Sequence, residues 1–252
     1  MVSIASLLDY LDKLLTPNLF KDYCPNGLQV AGVEEITRIV SGVSANQALT
    51  QAAIQENADL ILVHHGYFWK GEGDCITGIR HARLSPLIKN DINLLSYHLP
   101  LDAHAKFGNN IQLAERLNIK PTSEFYFEAG PAIARLGTLK QKKTGSEFSA
   151  HIESVLDRKP FYIPGKSEKI ESIAWCSGAA QDLLLEASQH NVDAFLTGEV
   201  SERTVALAQE LGIHFYAAGH HATERYGVLS LGEHLAKKFN LYHRYIDIDN
   251  PV

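Results

Sequence analysis

Two stretches of this chain repeat one pattern at a constant spacing, and no other feature restricts its fold as much. Residues 39–66 read strand, glycine-containing turn, helix, Asn-x-Asp, strand, and residues 173–198 read the same way 134 positions later. Gln47 meets Gln181, and Asn57-Ala58-Asp59 meets Asn191-Val192-Asp193. Chance likeness between βαβ units accounts for shared apolar positions but not for shared polar ones. The next strands correspond at a spacing of 122: Tyr97-His98 leads to Asp102 and Gly219-His220 leads to Glu224, so both copies read His-x3-carboxylate.

Residues 39–43, 60–63 and 93–97 are apolar runs of strand length, as expected where helices cover both faces of a sheet. Strand and helix alternate, so the fold class is α/β. The expected architecture is internally duplicated, with mostly parallel sheets covered by helices in three α/β/α layers. It has two intimately packed half-domains: 1–125, carrying the His-His-Gly and His-x3-Asp segments, and 126–252, carrying Gly-His-His-Ala-Thr-Glu, packed as one unit. Ser3 is placed to cap a first helix with Ile4, Leu7, Leu8, Leu11, Leu14 and Leu15 on its apolar face. Pro17 and then Pro25-Asn26-Gly27 end it in a turn. Residues 45–56 read as a helix with Ala48, Ala52 and Ala53 on one side. Phe125-Tyr126-Phe127 and residues 135–139 read as strands, with Gly130-Pro131 and the basic stretch 140–143 as loops.

Composition narrows the function. The net charge of −6 and the lack of a basic run argue against a nucleic-acid binder; only the stretch 140–143 offers such a surface. No apolar run approaches the ~20 residues of a membrane helix. The first fifteen residues carry Asp9 and Asp12 and read as a helix rather than a signal peptide. Three cysteines without CxxC spacing fit a reduced, cytoplasmic setting. Twelve histidines against one methionine is the compositional surplus.

That surplus collects where strands should stop. His64-His65-Gly66 and His98-x3-Asp102 end strands of the first copy; Gly198-Glu199 and His220-His221-x2-Glu224 end strands of the second. Ligands of open α/β sheets bind beyond these carboxyl ends. Imidazole with carboxylate suits Zn, Fe, Mn, Co or Ni, and several such ligands can hold two divalent ions per chain. Adjacent His64 and His65 would face opposite sides of a regular strand, but a turn at its end lets both reach one site. His98 reads as a proton shuttle or an extra ligand. His221 follows a strand and would point away from His220, while Glu199 mirrors His65. His81, His104, His151, His190, His214, His234 and His243 have no such context and read as structural. Tyr67 to Lys70 reads either as core or as a stacking wall. Neither a phosphate loop nor a cysteine nucleophile is indicated.

Pro25-Asn26-Gly27-Leu28-Gln29-Val30, Val63-His64-His65-Gly66-Tyr67-Phe68-Trp69-Lys70-Gly71, His98-Leu99-Pro100-Leu101-Asp102 and Gly219-His220-His221-Ala222-Thr223-Glu224 together resemble the Nif-three-like family, the GTP cyclohydrolase I type 2 homologs, and its YbgI-type bacterial members. The resemblance runs from the Pro-Asn-Gly turn to the C-terminus. It implies a dinuclear metal site in which His64 and Asp102 serve one ion, His65 and His220 the other, and Glu224 bridges. It also implies a ring-shaped homohexamer whose sites face an internal cavity. The expected function is a dinuclear metal-dependent hydrolase acting on a nucleotide-like or cyclic-amide small molecule, with metal-bound hydroxide as nucleophile. The alternatives are a non-catalytic metal-binding, adaptor or metal-delivery protein and, against the net charge, a nucleic-acid clamp.

Overall fold

The computed structural model describes residues 1–125 and 130–252, divided between two compact units. Unit one comprises residues 1–108 and 227–249; unit two comprises 109–226 and 250–252. The first unit opens with β1 (Val2–Ser3), α1 (Ile4–Leu15), β2 (Gly27–Val30), β3 (Glu35–Ile36) and β4 (Arg38–Ser44). It continues with α2 (Gln47–Gln55), β5 (Leu60–His65), α3 (Gly78–Lys89), β6 (Asn93–Ser96) and α4 (Leu99–Ala103). The second unit contains α5 (Asn109–Arg116), β7 (Ile119–Phe125), β8 (Ala134–Lys143), α6 (Gly145–Leu156) and β9 (Phe161–Ile163). Then follow β10 (Ile170–Trp175), α7 (Leu184–Ser188), β11 (Ala194–Thr197), α8 (Glu202–Leu211) and β12 (His214–Ala217). Helix α9 (His220–Phe239) passes from the second unit's residues to the first's after Tyr226, and β13 (Tyr242–Tyr245) ends the chain's regular structure.

The units therefore divide at Gly108/Asn109, earlier than the expected 125/126, and residues 227–249 return to unit one. The physical reasons are strand pairing and packing. β7 pairs with β8 and so belongs to the second sheet, whereas β13 pairs in parallel with β4 at the edge of the first. Val228, Leu231 and Leu235 of α9 are buried in unit one against Leu7 and Leu11 of α1.

Unit one's sheet runs β13-β4-β5-β6-β2, parallel except for the edge strand β2. Its strands alternate faces in the ordinary way. Ile39, Leu60, Leu62 and Leu95 pack on α1 and α9; Val40, Ile61, Val63 and Leu94 pack on α2 and α3. This is the expected three-layer arrangement. Ser3 caps α1 through Oγ, which accepts from the Ser6 amide at 3.2 Å, and Leu7, Leu11 and Leu15 are buried. Each contributes about 2 kcal/mol of burial. Helix α2 turns Leu49, Thr50 and Ala53 inward, so its buried face is rotated from the expected Ala48-Ala52-Ala53 side.

Unit two's sheet is mixed, in the order β7-β8-β10-β11-β12-β9, with only β10-β11-β12 parallel. α5 and α6 cover one face of its core and α7 and α8 the other. The stretch 140–143, expected as a loop, is the end of β8, whose Lys143 pairs with Ile170. Phe125 ends β7 as a strand residue, while Tyr126 and Phe127 lie outside the described residues.

The duplication is carried by β4-α2-β5 and β10-α7-β11, with β6 and β12 as the following strands. Its matched polar residues have matched jobs. Asn57 and Asn191 take left-handed conformations (φ 52° and 53°) at the ends of their helical segments, where Asn is tolerated. Oδ2 of Asp59 accepts from the Thr37 and Arg38 amides at 2.7 and 2.9 Å; Oδ2 of Asp193 accepts from the Glu171 and Ser172 amides at 3.0 and 2.9 Å. Each carboxylate thus satisfies backbone donors where the preceding strand begins.

Candidate metal centre

β5 ends in His64 and His65, and the end of the strand resolves the geometric conflict between neighbours. Their rings lie 4.6 Å apart between centroids, and their donor atoms fall within 4.8 Å of one another and of His98. Nδ1 of the fully buried His64 meets the Tyr97 carbonyl oxygen at 3.0 Å. A carbonyl only accepts, so Nδ1 carries a proton and Nε2 is the nitrogen left to act as a ligand. That nitrogen faces Oδ1 of the buried Asp102 at 3.5 Å. Imidazole and carboxylate are both metal-ligand types. Nδ1 of His65 meets Ser44 Oγ at 3.0 Å, which fixes that ring by its far nitrogen too.

His98 is placed by a web of short-range contacts from the Pro25-Asn26-Gly27 turn. Its Nδ1 meets Oδ1 of Asp22 at 2.7 Å, and its amide donates to Asn26 Oδ1 at 2.8 Å. Asp22 also accepts from the Leu99 amide and from Asn26. Burial opposes this carboxylate's charge, but His98 and the amide donors outweigh it and hold its pKa at about 2. Gln29 reaches the other strand end: its Oε1 accepts from the Tyr67 amide at 2.7 Å. A Cβ on Gly66 would stand 2.2 Å from that same oxygen, so a larger residue there would displace the Gln29 amide.

In unit two His220 and Glu224 share one face of the first turns of α9, as i,i+4 spacing dictates. Nε2 of His220 lies 3.1 Å from Oε2 of the buried Glu224, and Nδ1 lies 2.6 Å from Oε1 of Glu199. Burial works against the imidazolium, yet the Glu224 and Glu199 carboxylates raise its pKa to about 9. The imidazolium is therefore favoured between these two carboxylates. Gly178 (φ +67°) forms the wall: a Cβ there would meet Glu224 Oε1 at 2.2 Å. The cradle and the donor types both fit a divalent ion.

Each expected ligand thus lies in a donor cluster: His64, His65 and Asp102 with His98 in the first unit, His220 and Glu224 in the second. His221 is buried, and its amide donates to the Val252 carbonyl. Of the histidines read as structural, His104 caps a turn by accepting from the Lys106 and Phe107 amides, and His214, His234 and His243 bond to Tyr162, Tyr10 and Ser41. Tyr67 is core, whereas Trp69 stands beside the imidazoles, with ring centroids 5.9 Å from His65 and 5.1 Å from His98. Sequence reasoning missed Asp22, Asn26, Gln29 and Ser44. Glu199 carried a signal, its mirror relation to His65, but its position is behind His220.

Fold and side chains together define a class: a duplicated α/β protein with imidazole–carboxylate clusters at its strand ends. The chain belongs to the Duf34/NIF3 (NGG1p interacting factor 3) family, whose model matches residues 2–251. A Vibrio cholerae relative named GTP cyclohydrolase 1 type 2 homolog is 50% identical over 245 residues, covering 96% of each chain. A Pseudomonas aeruginosa relative of the same name is 48% identical over 251 residues, covering 100% of this chain and 99% of the relative. The solved structure of protein ybgI superposes with a TM-score of 0.96 at 45% identity over the whole of both chains. Among the described residues no helix is long and apolar enough to cross a membrane.

Proposed function

We propose that this chain is a dinuclear metal-dependent hydrolase acting on a nucleotide-like or cyclic-amide small molecule. His64, His65, Asp102, His220 and Glu224 would hold its two divalent ions. The observation that carries the reading is the far side of each imidazole. Tyr97, Ser44 and Glu199 engage Nδ1 of His64, His65 and His220, the outer support that metal-ligating histidines ordinarily have. Bound divalent ions supply Lewis acidity and acidify water. The chain's own part is to orient and to move protons. His98, fixed by Asp22, is the group that transfers a proton, and Trp69 offers a flat wall to a planar substrate. The relatives' shared name favours a nucleotide-like substrate. A ring-shaped homohexamer in the cytoplasm belongs to the same reading and predicts a light-scattering mass of six chains.

The deciding measurement is metal content by mass spectrometry on untagged protein purified without chelator. About two ions per chain, together with turnover of a nucleotide or cyclic amide in a screen run with those metals, is the expected result. Well under one ion after incubation with Mn, Zn or Fe rejects the metal centre. Two ions without turnover reject the hydrolase and leave a metal-binding adaptor.

A further inference from the structure

Beyond the strand-end donors, unit one holds a cavity of about 270 Å3 between the segment after His65 and the start of α3. Its walls include Tyr67, Glu72, Ile79, Arg80, Arg83 and Leu84. Arg80 and Arg83 are three residues apart on α3, which puts both guanidinium groups on one side of the helix. Arg80 pairs with Glu72 at 2.9 Å and donates to the Gly73 carbonyl, although its own side chain is only 16% exposed. Arg83 makes no ion pair or hydrogen bond among the described residues; its guanidinium stands 5.8 Å from the centroid of the Tyr67 ring. Two guanidiniums against one carboxylate leave the cavity with uncompensated positive charge. Tyr67, only 5% exposed, adds an aromatic wall beside Arg83. Ile79 and Leu84 supply apolar wall beside these polar groups.

We infer that this cavity binds a compact organic phosphate, with the phosphate on Arg83 and Arg80 and its carbon skeleton against Ile79, Leu84 and Tyr67. Guanidinium forks match phosphate oxygens in pairs. The volume lies just below the ~300–1,000 Å3 of ordinary small-molecule sites, which suits a monophosphate rather than a dinucleotide. The Arg83 guanidinium then gains an anionic partner. This inference does not rest on the metal centre.

The test is calorimetric titration of the full chain with phenyl phosphate, alongside inorganic phosphate and benzyl alcohol. Phenyl phosphate is expected to bind, inorganic phosphate more weakly, and benzyl alcohol not at all. Arg83→Gln should weaken phenyl phosphate binding roughly tenfold or more. Ile79→Asp, at a position 62% exposed and so without folding cost, should do the same by placing a carboxylate at the mouth. Glu224→Gln should leave binding unchanged. Binding lost in Glu224→Gln but kept in both cavity variants would place the anion on the metal-type donors and overturn the inference. So would the absence of phenyl phosphate binding in the unaltered chain, or cavity variants that change only the oligomeric state.

Discussion

At the scale of single residues, the candidate centre separates the side chains that could hold a metal from the groups that aim them. The ligand types were legible in the sequence because imidazole and carboxylate followed apolar runs twice, in matching copies. Their supports were not. Asp22 lies 76 positions before His98, and no spacing rule joins them. Ser44 and the Tyr97 carbonyl are unremarkable as letters and acquire meaning only when β4, β5 and β6 align. These supports are testable by metal retention. Glu199→Gln removes the charge behind His220 while preserving its shape, and should weaken metal affinity about 10–100-fold in chelator competition. Unchanged retention would show that Glu199 is not an orienting partner. Gly178→Ala places a Cβ 2.2 Å from Glu224 Oε1 and strains a φ of +67°, so it should lower both metal content and stability. Full metal content in a folded Gly178→Ala protein would contradict the cradle.

At the scale of elements, the repeat was legible for a reason the structure now supplies. The apolar runs specify strands buried on both faces, and the matched Asn and Asp residues specify how each helix ends and the next strand is anchored. What could not be read was strand partnership. The long antiparallel β8 mixes the second sheet, and β13 completes the first from the far end of the chain, because pairing depends on contacts distant in sequence. The anchoring role makes a paired prediction. Asp59→Ala and Asp193→Ala should each cost about 1–2 kcal/mol in denaturant unfolding, since each strips two strand amides of their acceptor. Asp193 adds a pH signature. Burial opposes its charge, but the Ser172 and Glu171 amides and the Ser167 and Ser172 hydroxyls outweigh that and hold its pKa below the ordinary 3.8. A lowered carboxyl pKa stabilises the fold above the unfolded value and loses that contribution as pH falls through the folded one. The stability gap between the native chain and Asp193→Asn should therefore be full at neutral pH and shrink below pH 3.8. A gap independent of pH across that range would mean the charge does not act through the strand amides.

At the scale of the whole molecule, the buried donors tie metal binding to folding. Asp102 and Glu224 are buried carboxylates, with His64 Nε2 3.5 Å from the one and His220 Nε2 3.1 Å from the other. Charges in such places destabilise a fold unless they are paired. A divalent ion bound to the folded chain, with no comparable site in the unfolded one, would add its free energy of binding to stability. At a free metal concentration a thousandfold above Kd the gain is about 4 kcal/mol, or roughly ten degrees in melting temperature for a chain of this size. Stripping the protein with a chelator should lower its melting temperature by about that amount, and readdition of Zn or Mn should restore it. Glu224→Gln offers the control. It removes one of the proposed ligands, so its melting temperature should respond less to metal than the parent's does. Equal melting temperatures with and without metal in the parent would show that these donors are held together by protons and hydrogen bonds alone.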